Sequence, residues 1–240
     1  MPYRNLPDTD VTLSTALQRA EAKALTVGRN NLAFKLDTLT RLQAFNPVFA
    51  KEVGERSSAL SVQTDATKAR KATEEKCRLY TSHFYQVFNL GIARNEFKVT
   101  DRAYFQVPVS QESIPDLSNE SSLVFYAKAI VTGEQQRTAA GAIPMKNPSA
   151  AEVETVLNEY QVTLSDQSTK KDNYEKEQRD VDNIRSVALE LVKDIWDEVE
   201  FTFRKDSPSV MRRKAREYGV VYASRPDEPD EEDTLPGDDT

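Results

Sequence analysis

The stretch SAAEVETVLNEYQVTLSDQSTKKDNYEKEQRDVDNIRSVALELVKDIWDEVEFTF, residues 149–203, decides the fold. It holds neither proline nor glycine, the two residues that interrupt a helix most strongly. Ser149 and Glu152 stand three apart just after Pro148, the spacing at which each side chain serves the other's backbone N–H at a helix start. Apolar residues then recur at steps of four and three: Val153, Leu157, Tyr160 and Leu164. The register passes through Gln167, Lys171, Tyr174, Gln178, Val181 and Arg185, and closes on Ala188, Val192, Ile195 and Val199. This heptad predicts one coiled-coil-like helix over about 150–205, roughly 80 Å long. Near its end Leu189, Trp196 and Phe203 add a second stripe at seven-residue steps. A face that wide requires more than one neighbouring helix.

A second tract has the same character. No proline occurs between Pro47 and Pro108. Asn46 is a helix-capping residue type, and Pro47 suits a first helical position. Phe49, Val53 and Leu60 open the stripe, Gln63, Thr67, Arg70 and Glu74 continue it, and Cys77, Phe84 and Phe88 close it beside Tyr80 and Val87. These predict a helix over about 47–95, thin in the middle where Ala59, Ala66, Ala69 and Ala72 fall. Both long helices are polar at mid-length and apolar at the ends, so antiparallel pairing sets one polar middle against the other. Little of the chain remains to cover those middles, which points to other subunits or a partner.

The shorter elements follow. Residues 10–27, with Leu13, Ala16, Leu17, Ala20, Ala24 and Leu25, read as a helix stopped by Gly28. Residues 31–45, with Leu32, Leu36, Leu39, Leu42 and Phe45, read as another. Both are expected over the Phe49 and Trp196 end of the long pair. In the insert, 96–148, a helix starts at Ser118 or Asn119 and runs to about Arg137. Phe105, Val107 and Val109 alternate like a short strand, and 138–148 reads as loop. A short helix over 209–218 follows Asp206-Ser207-Pro208 and ends at Gly219. The expected fold is mainly α: an elongated antiparallel helical bundle of two long helices, with a short helical N-terminal pair and an irregular insert. It forms one domain over 1–225, followed by an acidic tail, 226–240, whose composition predicts disorder.

Composition narrows the function. The 240 residues include one cysteine and one histidine, too few for an internal disulfide or the usual zinc ligand set. A bundle-type di-iron site needs Glu-x-x-His, and the residue three before His83 is Tyr80. No phosphate-binding glycine loop, dinucleotide fingerprint or nucleophile elbow occurs. No apolar run is long enough to cross a bilayer, and the first residues lack a secretory leader's apolar core. A cytoplasmic protein without cofactor or metal is expected. Net charge is −7, but eight acids and no base follow Arg225. Residues 1–226 carry 31 acids against 32 bases, a near-neutral body that does not strongly repel copies of itself.

Three clusters bear chemistry. Asp194, Asp197, Glu198 and Glu200 surround Trp196; paired carboxylates can exchange protons or hold a hard cation, although a solvated acidic face fits the spacing better. Cys77 lies on the helix seam between Lys76 and Arg78, where cations would lower a thiol pKa and burial would raise it. Arg204, Lys205, Arg212, Arg213, Lys214 and Arg216 suit phosphate or the acidic tail, its own or a neighbour's. The function expected is a non-enzymatic structural or scaffolding protein that self-associates through helical faces into a homo-oligomer or larger assembly. Tyr174, Trp196 and Phe203 are its candidate packing or contact residues. Arg212, Arg213 and Arg216 are candidates for an ionic contact with the tail. Two rivals stand beside it: a nucleic-acid-associated helical bundle using 204–216, and a small-ligand-binding protein or enzyme with a pocket near the 96–148 insert.

Overall fold

A computed structural model describes residues 3–224. The acidic tail, 226–240, lies outside the described residues. The chain is mainly α. Helix α1 spans Asp10–Val27, α2 Leu36–Ala93, α3 Glu120–Ala139, α4 Ala150–Phe203 and α5 Pro208–Arg216. A two-residue ladder pairs β1, Tyr3–Arg4, antiparallel with β2, Tyr222–Ala223. Helices α2 and α4 have 58 and 54 residues. Two compact units divide the chain: Met1–Ala59 with Tyr174–Thr240, and Leu60–Asn173.

The helix starts follow their local chemistry. The Ser149 N–H donates to Glu152 Oε2 at 2.7 Å, and the Glu152 N–H donates to Ser149 Oγ at 3.3 Å. Asn119 Oδ1 accepts from the Ser122 N–H at 2.8 Å, so α3 starts where its capping residue predicts. Thr9 and Thr12 cap α1 reciprocally, and Gly28 at φ 72° ends it.

In the first unit, α1, the start of α2 and the end of α4 share one core. Leu13 and Leu17 join Leu42 and Phe49, and α4 adds Val181, Ala188, Val192, Ile195, Trp196 and Val199. Polar pairs give the helix directions: Thr38 with Glu198 and Arg41 with Asp194, an antiparallel register. Asp10, buried, accepts from both Arg56 and Arg185 and so ties α1 to α2 and α4. Arg185 also donates to the Asp8 carbonyl.

In the second unit, Cys77, Phe84, Tyr85 and Phe88 of α2 meet Val153, Leu157 and Tyr160 of α4 and Leu123, Ala127 and Ile130 of α3. Phe105 sits among three α2 rings, edge-on to Phe84 at 5.3 Å, Phe88 at 4.8 Å and Tyr85 at 6.4 Å. Thr73 with Thr163 and Lys76 with Glu159 again run antiparallel.

Three expectations fail. No helix break occurs at Asn46-Pro47: the separate helices expected at 31–45 and 47–95 are one helix, α2. Asn46 does not cap: its Nδ2 donates to Glu21 at 2.6 Å, and its Oδ1, the atom that would cap, accepts no hydrogen bond among the described residues. Proline's fixed φ is already helical and removes only one hydrogen bond and some space. Phe45 and Phe49 stack at 5.8 Å across this turn and hold it to the core. The strand expected at 105–109 is also absent. Val99–Phe105 is a 3₁₀ helix, Gln106 takes a left-handed φ of 59°, and Pro108 offers no N–H to a ladder. Phe105 and Val107 are buried all the same. Finally Leu60, expected on the seam, is 45% exposed, and Ala59 is buried instead.

Candidate functional site

The acid-rich run of α4 consists of tethers. Arg4 donates to Asp197 at 2.5 Å, and Arg41 to Asp194 at 2.9 Å. Glu198 accepts from the Lys35 N–H at 2.8 Å and from Thr38 Oγ1 at 3.1 Å, so one carboxylate serves the N-terminus of α2. Tyr222 donates its hydroxyl proton to Glu200 at 2.6 Å. Burial, and then this bond to a carboxylate, push the Tyr222 phenol well above the ordinary tyrosine range. Each of the four acids engages a partner from a different part of its own unit. Asp194 and Asp197 remain solvated, at 48% and 63% exposure, while Glu198 and Glu200 are largely covered and bonded within the unit.

The candidate contact residues fall in different environments. Trp196 is fully buried and Arg212 is buried. Phe203 packs against the first core, its ring 6.3 Å from that of Tyr218, with the Lys214 ammonium 5.2 Å from the ring centre. Tyr174 is half-buried and donates to Gln178 at 3.3 Å. Arg213 is half-buried, and Arg216 is exposed with its guanidinium 5.7 Å from the Tyr222 ring centre. Lys214 pairs with Asp206 at 2.9 Å, and Arg204 lies over Phe201 at 3.7 Å. The cluster 204–216 thus gathers near one helix, but Lys214 and Arg204 are engaged within the chain.

The two special side chains of α2 differ. Cys77 is fully buried, and burial raises its thiol pKa; the nearby Arg78 lowers it less. Of the two effects weighed from the sequence, burial outweighs the neighbouring cations, and Lys76 and Arg78 pair with Glu159 and Glu74. His83 is exposed. Among the described residues one acidic trio comes together in the first unit: Glu52, Glu177 and Asp180, with carboxylate oxygens within 4.8 Å. Lys51 and Lys176 supply countercharge at 3.2 Å from Glu52 and 3.0 Å from Glu177.

The seam of the second unit thins beyond its core. Over residues 60–76 of α2 only Ala66 is buried, and over 161–173 of α4 no residue is. The half-buried positions there include Gln63, Thr67 and Arg70 on α2 and, on α4, Gln167 and Leu164, the last packed against the second core. Leu60, Val62 and Val162 are exposed apolar side chains of this stretch.

One constellation in the insert had no sequence signal of its own. Arg137, in the last turn of α3, is 1% exposed. It donates from Nε and Nη2 to the two oxygens of Glu134 at 2.8 and 2.9 Å, and from Nη2 to the Ile143 carbonyl at 2.6 Å. Its guanidinium lies 4.9 Å from the Phe97 ring centre and 5.7 Å from that of Phe88. Nη1 makes no hydrogen bond among the described residues. Its nearest carboxylate, Asp101, stands 3.7 Å away. Arg137, Asp101, Lys98, Phe97 and Tyr104 line a cleft of about 260 Å³. Gly133 lets α3 approach closely here, since a Cβ would meet the Tyr104 carbonyl oxygen at 2.3 Å. A Glu-x-x-Arg pair is common on helix surfaces, so only the fold distinguishes this one.

No helix among the described residues is long and apolar enough to cross a membrane. No family model, curated protein or solved structure matches the chain.

Proposed function

We propose that the protein is a non-enzymatic helical scaffold that self-associates through the faces of α2 and α4. The observation that carries this reading is the uncovered seam of the second unit. Helices in water are held mainly by burying an apolar face. Residues 60–76 and 161–173 bury one alanine between them and expose Leu60, Val62 and Val162. A second copy supplies the missing cover. The near-neutral charge of residues 1–226 favours like partners, and the acids and several bases of the first unit already serve intrachain tethers. Hydrogen exchange at two protein concentrations tests the surface. Amides of 60–76 and 161–173 should gain protection as concentration rises. Identical exchange at both concentrations would refute this face as the contact.

A further inference from the structure

We infer that the Arg137 cleft binds a small zwitterion with an apolar side chain, of the class of a free amino acid. The inference rests on one donor atom without a hydrogen bond, Arg137 Nη1, and one carboxylate, Asp101, which stand 3.7 Å apart in the same cleft. Arg137 Nη1 is a buried donor without an acceptor, an arrangement that costs free energy unless something fills it. The Asp101 carboxylate accepts no hydrogen bond among the described residues and sits 3.7 Å from Nη1, beyond bonding reach. The rest of the guanidinium is locked by Glu134, Ile143 and two aromatic rings, so Nη1 cannot easily swing to close the gap.

Charge selects the ligand. Counted by charge, Glu134 offsets Arg137 and Lys98 offsets Asp101, whose one ion pair among the described residues is the loose contact with Arg137. Glu96, also at the cleft, pairs with Arg94 at 2.9 Å. A bare anion would leave net negative charge beside the C-terminus of α3, whose carbonyl end repels it. A bare cation would meet Arg137 and Lys98. A zwitterion satisfies both sides: its carboxylate accepts from Arg137 Nη1 and Lys98, and its ammonium donates to Asp101. Phe97, Tyr104 and Ile143 offer apolar surface to a side chain. The cleft, about 260 Å³, far exceeds the roughly 10–15 Å³ that seats one water.

The test is calorimetric titration of the full-length protein with L-leucine, acetate and methylammonium. L-leucine should bind saturably, with a Kd of about 10 µM to 1 mM. Acetate and methylammonium should each bind at least about tenfold more weakly. Asp101→Asn keeps the side-chain size and the fold while removing the ammonium partner, and should weaken L-leucine about tenfold or more. Arg137→Ala strands the buried Glu134 and so confounds binding with folding; Lys98→Met, at the cleft's edge, should weaken L-leucine and leave methylammonium unchanged. No saturable heat with L-leucine would mean that the cleft holds water only and would overturn the inference. Equal affinity for acetate, or for the Asp101→Asn protein, would overturn it as well.

Discussion

Asp10 and Tyr85 show how single side chains hold this chain together. Asp10 is a buried carboxylate shared by Arg56 and Arg185, which come from different long helices. Asp10→Ala leaves two cations facing each other without their common anion. The expected loss is about 2–3 kcal/mol in denaturant unfolding, below the range for fully buried pairs because Arg185 is partly exposed. Tyr85 donates to the carbonyls of Phe105 at 3.1 Å and Tyr126 at 3.3 Å. Burial, and then the neighbouring Tyr126, raise its pKa above the ordinary 10.0. The folded state therefore keeps a proton that the unfolded chain releases above about pH 10. That contribution to stability is complete below pH 10 and declines as pH rises. Tyr85→Phe should flatten the alkaline fall of stability by up to about 1.4 kcal/mol per pH unit between pH 10 and 12. An unchanged slope would show that the phenol ionises freely in the fold.

The long helices show which signals in a sequence are local. The start of α4 was legible because Ser149 and Glu152 act on each other. The start of α2 was not, because the group that serves its first turn is Glu198, more than 160 residues away. Pro47 was misread for the same reason. Asn46 would cap through its Oδ1, but the helix already runs through it from Leu36, so the N–H groups that follow are bonded within the helix. Pro47→Ala tests this directly. In a helix interior the change restores a bond to the Gln43 carbonyl and should stabilise by about 1–3 kcal/mol. At a true helix start it would be neutral or destabilising. The Arg137 cleft was illegible for a different reason: Asp101, Phe97 and Arg137 meet only because Gly133 lets α3 lie against the 3₁₀ segment. The sequence pointed to a pocket between the insert and the ends of the long helices, whereas this cleft is lined by residues of the insert alone.

At the scale of the whole molecule, two separate cores share two helices. Trp196 anchors the first and Phe84 the second. Trp196→Ala should cost about 3–5 kcal/mol and lower amide protection in α1 and α5 more than in α3. Uniform loss across all helices would show that the cores unfold as one. Between the cores the helices carry polar seams and few buried residues, which is the ground for proposing assembly. Replacing Leu60 and Val162 by glutamate places charge on exposed positions, so it should spare the fold and weaken self-association. The most direct measurement is the absolute mass in solution by light scattering behind a sizing column, over a range of concentration and at low and high salt. The account predicts a defined multimer of the 27.1 kDa chain. A monomer at every concentration and salt would contradict it.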